Sequence, residues 1–145
     1  MREIEEYETQ NLEECLQALS AYHNEVSTNF SGSYPSRPFK DTLKIFKESL
    51  IKRNSRIAVV EEHGRIIGFC KVDIGGGIGK LDYLVVLSEY RGKGYGKAFM
   101  EWAMKVFDEH NIRQIEVKVI DGNEAIHLYE KYGFKMNAHI LVNKR

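Results

Sequence analysis

The segment from Arg91 to Lys97 is the part of the sequence best suited to bind a charged ligand. It reads RGKGYGK, with glycines at alternate positions and three cationic side chains. Glycines let main-chain N–H groups come close to a ligand, and the start of a following helix adds unpaired N–H groups and a partial positive charge. The segment therefore predicts an anion site suited to a diphosphate.

The spacing of the glycines distinguishes three kinds of nucleotide site. A P-loop requires a longer interval between its glycines than the one from Gly92 to Gly96. The dinucleotide fingerprint requires a third glycine at the position of Lys97. What fits is the pattern R-x-x-G-x-G, formed by Arg91, Gly94 and Gly96.

The residues on either side of this segment predict the elements that position it. Residues 81–87 are an almost unbroken apolar run, which is typical of a buried strand. From Lys97 onward, apolar residues from Phe99 to Phe107 recur at helical spacing. A glycine-rich loop between a buried strand and an amphipathic helix resembles the acyl-CoA-binding motif of the GNAT superfamily of N-acetyltransferases. In that family the loop wraps the CoA pyrophosphate.

The remaining pattern predicts one domain over residues 1–145 with an α/β (α+β) fold. We expect a single mixed, mostly antiparallel sheet of about six to seven strands covered by about four helices, which is similar to the GNAT fold. The predicted strands are 2–7, 56–61, 66–74, 81–87, 112–120 and closing strands from 134 onward and at 139–142; the predicted helices are 12–26, 41–51, 97–110 and 125–132. Asn11 and Asp41 are the expected caps of the first two helices, and residues 27–38 are an expected loop.

A second segment, NEAIHLYEKYGF from Asn123 to Phe134, is similar to another GNAT signature. The family form that we take as reference places its asparagine one position farther from the tyrosine. At about 100° per residue, the shorter interval moves Asn123 off the helix face of Tyr129. Asn123 therefore has two open roles, a helix cap or a contact with CoA, whereas the spacing from Tyr129 to Gly133 and Phe134 agrees with the family.

The resemblance implies catalytic roles for several residues. Acyl transfer from a thioester to an amine needs a proton for the leaving thiolate, and a phenol with a pKa of about 10 can supply it. The resemblance assigns Tyr129 as general acid. It also assigns a main-chain N–H, that of Val86 in particular, as oxyanion donor. Asp82 is the first candidate for general base. The predicted contacts with acetyl-CoA, the expected co-substrate, are Leu84, Val85, Val86, Arg91, Gly92, Lys93, Gly94, Tyr95, Gly96, Lys97, Asn123 and Tyr129.

The composition bears on partners and location. Lys plus Arg and Asp plus Glu number 21 each, so no net charge points to nucleic acid or to an anionic membrane. We see no secretory signal and no apolar run that could span a bilayer, and cytoplasmic location is the default expectation. Cys15 and Cys70 lie in apolar patterns and are expected to be buried and unbridged. The five histidines lack metal-ligand spacing, and no metal is predicted.

The acceptor stays open at this stage. In the family, the helices and loop between the first two strands cap the acceptor pocket, here residues 12–53 with Tyr22, Asn24, Phe30 and Tyr34. A protein N-terminus, a lysine, a polyamine, an aminoglycoside or a small amine metabolite would all suit a flexible aromatic and polar loop. Two alternatives belong to other functional classes, a non-catalytic acyl-CoA-binding sensor and a phosphate-binding nucleotide module. The fold also admits a homodimer.

Overall fold

The computed structural model describes residues 1–34 and 39–145, and its central feature is one five-stranded sheet. The strands are β1 Arg2–Glu3, β2 Ser55–Glu62, β3 Arg65–Asp73, β4 Ile78–Val86 and β5 Gln114–Val117. Their order in the sheet follows their order in the chain. The first four are antiparallel neighbours, whereas β5 is parallel to β4 because a helix carries the chain back to the same end of the sheet.

Four α-helices accompany the sheet within the described residues. They are α1 Glu13–Val26, α2 Lys40–Ile51, α3 Tyr95–Glu109 and α4 Ile126–Glu130, with short 3-10 helices at Glu6–Leu12 and Ser88–Tyr90. The apolar stripe of α3 is buried, with Phe99 and Phe107 fully inaccessible. Burial of such a stripe against the sheet is the main source of helix stability in a domain of this size.

Strands β4 and β5 separate partway along the sheet. Their pairing runs only from Ile78 to Leu81 on β4, although β4 continues to Val86. On the other side of β4, the Leu87 N–H donates to the Ile67 carbonyl at 2.9 Å, in line with the β3–β4 register. Because hydrogen-bonded and non-hydrogen-bonded pairs alternate along an antiparallel ladder, the main-chain groups of Leu84 and Val86 point to the edge that β5 has left. Part of β4 therefore offers free N–H and C=O groups.

The predicted fold class is confirmed, with differences at both ends of the chain. The sheet has five strands rather than the expected six to seven. The first strand stops at Glu3, and the chain then turns into the 3-10 helix that contains the predicted cap Asn11. Phe39, not Asp41, occupies the N-cap position of α2. Residues 27–34 are irregular as predicted, and residues 35–38 of the predicted loop lie outside the described residues.

The predicted closing strands are absent from the described C-terminal residues 134–145. A strand needs a hydrogen-bonded neighbour, and this segment pairs with no strand in the described part of the chain. Its apolar side chains beyond Phe134 are exposed; Leu141 is 93% accessible. Residues 139–142 are largely apolar, but the prediction that they form a closing strand is wrong.

Candidate functional site

A cleft opens where β5 leaves β4. Its volume is about 260 Å³. The floor is the free end of β4, one wall is the turn before α3, and the others come from α1 and the residues around the start of α4. The lining residues are Leu19, Tyr22, Leu84, Val85, Val86, Tyr90, Arg91, Gly92, Gly94, Tyr95, Gly96, Asn123, Ala125 and Leu128.

The turn before α3 presents main-chain donors to this cleft. Gly92 and Gly94 have φ values of 76° and 89°, which only glycine adopts without strain. The Ala98 N–H donates to the Gly94 carbonyl at 3.0 Å. The N–H groups of residues 95–97 come before that bond and have no partner within the helix. Together with the positive end of a helix of 15 residues, they form an anion site.

Two contacts hold this turn in place. The Tyr95 hydroxyl donates to Glu62 Oε1 at 2.8 Å, which ties the start of α3 to the β2–β3 hairpin. A Cβ atom at Gly96 would lie 3.4 Å from Leu128 of α4, so α3 and α4 approach closely there. Gly96 thus serves close packing rather than a special backbone angle, unlike Gly92 and Gly94.

Arg91 reaches from the turn back across the cleft. Its Nε donates to the Val86 carbonyl at 3.1 Å, and its guanidinium carbon lies 4.6 Å from the ring centre of Tyr22. The first contact confirms that the Val86 carbonyl faces the open edge of β4. The side chain is exposed and can turn toward a ligand. Lys93 and Lys97 lie outside the lining, and the Lys97 side chain is 73% exposed.

Tyr129 is packed beneath the cleft rather than on its surface. It is 6% exposed, and its ring meets that of Phe134 edge-on with centres 6.1 Å apart. Gly133, at φ 89°, turns the chain so that Phe134 returns to this position. Burial, followed by the Cys70 thiol, raises the pKa of Tyr129 to about 12. The phenol is therefore protonated at neutral pH.

Asp82 belongs to an ion-paired cluster outside the cleft lining. The buried ammonium of Lys71 donates to Asp82 Oδ2 at 2.7 Å and to Asp73 Oδ1 at 2.6 Å, and it lies 5.1 Å from the ring centre of Phe46. Burial raises the pKa of Asp73, although Lys71 opposes the shift. Asp73 therefore holds a proton more readily than an ordinary aspartate. No motif or spacing marked Lys71, a lone lysine in an apolar strand.

Asn123 lines the cleft and also caps a turn. Its Oδ1 accepts a hydrogen bond from the Ala125 N–H at 2.9 Å. The side-chain oxygen is thus engaged with the backbone, as the shortened interval to Tyr129 suggested.

Eight of the residues predicted from the sequence as cofactor contacts meet at the cleft wall formed by β4 and the turn: Leu84, Val85, Val86, Arg91, Gly92, Gly94, Tyr95 and Gly96. Asn123 joins them from the other side. Sequence reasoning missed Leu19, Tyr90, Ala125 and Leu128 as lining residues and named Tyr22 only for the acceptor side. The apolar periodicity of Leu19, Ala125 and Leu128 predicted helix faces, but periodicity does not tell a core position from a cleft wall.

Comparison with known proteins decides the family. The sequence model of the Acetyltransferase (GNAT) family matches residues 19–134. The chain belongs to the GNAT family of acetyltransferases. The matched range includes the whole cleft, and the family assignment makes this GNAT chain an acyltransferase.

Curated relatives and solved structures agree. An N-alpha-acetyltransferase of Sulfurisphaera tokodaii is 30% identical over 104 residues, which are 62% of this chain and 62% of that protein. A putative [ribosomal protein bS18]-alanine N-acetyltransferase of Bacillus subtilis is 24% identical, and the match covers 72% of this GNAT chain and 69% of the Bacillus protein. This chain thus spans less than two thirds of the Sulfurisphaera relative's length.

Two solved structures show the same fold. The PaiA N-acetyltransferase of Thermoplasma acidophilum, in complex with coenzyme A, has a TM-score of 0.72 at 21% identity over 94% of this chain and 89% of that one. A predicted acetyltransferase of Clostridium acetobutylicum, solved with acetyl-CoA, has a TM-score of 0.76 at 17% identity over 99% and 94%. In residues 1–34 and 39–145 of this chain, there is no helix with the length and apolar character for a membrane span. The same residues contain no group of three or more side chains that could hold a metal ion.

Proposed function

We propose that the chain transfers an acetyl group from acetyl-CoA to a primary amine by direct attack of the amine on the thioester. One observation carries the proposal: the unpaired N–H groups of the glycine turn face the same cleft as the free edge of β4. N–H donors suited to a diphosphate and the main-chain groups on the free edge of β4 thus border the same space. Such an arrangement suits a long carrier with an anionic end and a polar, amide-bearing arm.

The diphosphate would bind at the turn. The N–H groups of residues 95–97 and the flexible backbone at Gly92 and Gly94 match its charge and its many acceptor oxygens. Arg91 adds a guanidinium that can pair with two phosphate oxygens. The charges on Lys93 and Lys97 are exposed and favour the approach of the anion more than its final position.

The reacting carbonyl would lie against the open end of β4. There the Val86 N–H faces away from β3 and is suited to stabilise an oxyanion in the tetrahedral intermediate. Loss of one such donor typically costs about 3 kcal/mol of transition-state stabilisation. Tyr129 is buried in the core near Cys70, which pairs with Leu84 of β4. We assign Tyr129 as the proton donor to the thiolate of CoA.

The amine must lose a proton before or during its attack, since a primary amine with a pKa of about 10 is mostly protonated at neutral pH. We keep Asp82 as the proposed general base and add Asp73 as its alternative. Lys71 bonds to both carboxylates. Burial raises the pKa of Asp73, which favours it as a proton acceptor. The pH–rate profiles of Asp82→Asn and Asp73→Asn distinguish them, since only loss of the base removes the lower limb.

The names of two relatives suggest which acceptors to test first. One is named as an N-alpha-acetyltransferase and the other as a putative [ribosomal protein bS18]-alanine N-acetyltransferase. We therefore place the α-amine of a peptide first among acceptors, ahead of lysine side chains, polyamines and small amines. Cytoplasmic location and the absence of a metal stay predictions from the sequence.

The proposal is tested in two steps. In the first, acetyl-CoA should raise the melting temperature, while ATP and NAD at equal concentration should not. A ligand present at a hundred times its dissociation constant adds about 2.7 kcal/mol to the free energy of unfolding. In the second, CoA release is measured over a panel of amines that starts with peptides bearing a free N-terminal alanine.

Tyr129→Phe tests the catalytic assignment. Loss of the proton donor should lower kcat about a hundredfold, with little change in acetyl-CoA affinity. Tyr132→Phe is the matched control, because Tyr132 lies one turn farther on and its N–H donates to the Tyr129 carbonyl at 2.9 Å. Full turnover in Tyr129→Phe would remove that residue from its role. Acetyl-CoA binding without CoA release from any amine would instead indicate a non-catalytic acyl-CoA-binding domain.

A further inference from the structure

The irregular segment after α1 holds the side chain of a lysine from the far end of the chain. Lys144 Nζ lies 4.6 Å from the ring centre of Phe30 and 5.5 Å from that of Tyr34, and it donates to Ser33 Oγ at 2.8 Å. Among the described residues, no carboxylate lies within 4.0 Å of this ammonium. Two aromatic faces and one hydroxyl therefore hold the charge, which is the composition of a site for an alkylammonium ion.

Hydrogen bonds within the segment hold these three residues in place. Ser33 Oγ donates to the Phe30 carbonyl at 2.7 Å, so its lone pairs are left to accept from the ammonium. The Asn24 amide bonds to Tyr34 twice, from Nδ2 to the Tyr34 carbonyl at 3.1 Å and from the Tyr34 N–H to Oδ1 at 2.9 Å. The rings of Phe30 and Tyr34 thus sit on a backbone that is braced against α1.

The same segment is joined to the cleft. The Asp121 carboxylate, just before Asn123, accepts hydrogen bonds from the Ser27 hydroxyl at 2.8 Å and the Thr28 N–H at 2.7 Å. On the other side, the His23 ring lies 5.3 Å from that of Tyr34 and follows Tyr22, which lines the cleft beneath Arg91. The ammonium site and the cleft are therefore built on the same end of α1.

We propose that Phe30, Ser33 and Tyr34 form a binding site for a primary alkylammonium ion, and that Lys144 is its internal occupant. An external alkylammonium must displace Lys144 to enter. Binding itself does not depend on the proposed function. Only the further step, in which the external ion is the cationic end of the acceptor, rests on that function. The C-terminal residues then reduce the apparent affinity for such acceptors by the fraction of time that Lys144 occupies the site.

Cadaverine is the probe, because each of its ends matches a lysine side chain, and 1-pentanol is its uncharged counterpart. Its dissociation constant is measured by calorimetry for the wild type, Lys144→Gln, Phe30→Leu and Tyr34→Leu. Lys144→Gln should tighten binding about fivefold, the factor for a site that is open about one fifth of the time. Each ring replacement, made in the Lys144→Gln variant so that Lys144 does not compete, should weaken binding two- to fivefold, the range for one cation–π contact. Pentanol should not bind.

Lys135→Gln is the matched control, since Lys135 is an exposed lysine of the same C-terminal segment. It should leave cadaverine affinity unchanged. Amide signals of residues 139–145 should shift as cadaverine is added to the wild type and should not shift with pentanol. Equal affinity in the wild type and Lys144→Gln, or no cadaverine binding in either, overturns the proposal. Unchanged melting temperatures of the ring variants exclude a folding defect. The cadaverine affinity of Tyr34→Leu tests the role of the aromatic rings independently of Phe30→Leu.

The outcomes also separate this inference from the proposed function. If CoA release fails for every amine but cadaverine binding responds to Lys144→Gln, the ammonium site stands and the transferase assignment falls. If CoA is released normally and Lys144→Gln changes neither cadaverine affinity nor KM for a cationic acceptor, the function stands and the ammonium site falls.

Discussion

Replacement of Gly122 by alanine should destabilise the protein more than any other single methyl group added in a turn. Gly122 has φ +82°, and a Cβ atom there would lie 2.1 Å from the Val26 carbonyl oxygen at the end of α1. The left-handed backbone costs about 1 kcal/mol for alanine. The contact must open to at least 3.0 Å, and such overpacking costs about 1–3 kcal/mol. The free energy of unfolding should fall by about 2–4 kcal/mol, which lowers the melting temperature by roughly 6–12 °C in a domain of this size.

Gly64→Ala is the matched control for this prediction. Gly64 has a similar φ of +76°, yet nothing lies within 4 Å of its added Cβ. It should therefore lose only the backbone component, about 1 kcal/mol. Urea unfolding and calorimetry measure both variants. If Gly122→Ala is no less stable than Gly64→Ala, the turn at 121–123 does not press on the end of α1, and the packing argument for that junction is wrong.

Three further predictions follow from charged side chains. Hydrogen bonds from Ser27 and nearby N–H groups hold the pKa of Asp121 below its ordinary value, so its contribution to stability is present above about pH 4 and is lost as the pH falls through the lowered pKa. The melting temperature of Asp121→Asn should accordingly fall less steeply than that of the wild type as the pH drops below about 4. The same pH dependence in both proteins would contradict this. Arg91→Ala should weaken acetyl-CoA binding about tenfold by calorimetry without lowering stability, and unaltered affinity would count against the diphosphate assignment. Lys71→Met leaves two carboxylates without their shared ammonium and should cost about 1–3 kcal/mol in urea unfolding, below the value for a fully buried pair because both carboxylates are partly exposed; unchanged stability would refute the pairing.

The glycine turn was predictable because its information is local. Spacing and charge within RGKGYGK separate an R-x-x-G-x-G turn from other nucleotide motifs, and the apolar patterns on both sides identify the strand and the helix. The helix begins at Tyr95, two residues before the predicted 97, because the glycines permit the left-handed N-cap at Gly94. The parallel pairing of β5 also follows from a helix between two strands.

What sequence could not supply depends on contacts between distant residues. The pairing of Lys71 with Asp82 arises where the β3–β4 register shifts, and a register shift leaves no mark in a single sequence. The burial of Tyr129 comes from its place in the hydrophobic core and from the return of Phe134. The apolar residues at 139–142 have strand propensity, but propensity alone does not provide a neighbouring strand.

The order of the strands bears on how the molecule assembles. Strands β2, β3 and β4 are joined by short turns and pair in chain order, so this meander of hairpins can form through short loop closures. The pairing of β5 requires a crossover through α3, and the pairing of β1 with β2 requires closure of the segment that contains α1 and α2; both are slower kinds of event. The ligand cleft is bounded by elements that lie outside this meander, so we expect it to form after the hairpins and to be lost before them in partial unfolding.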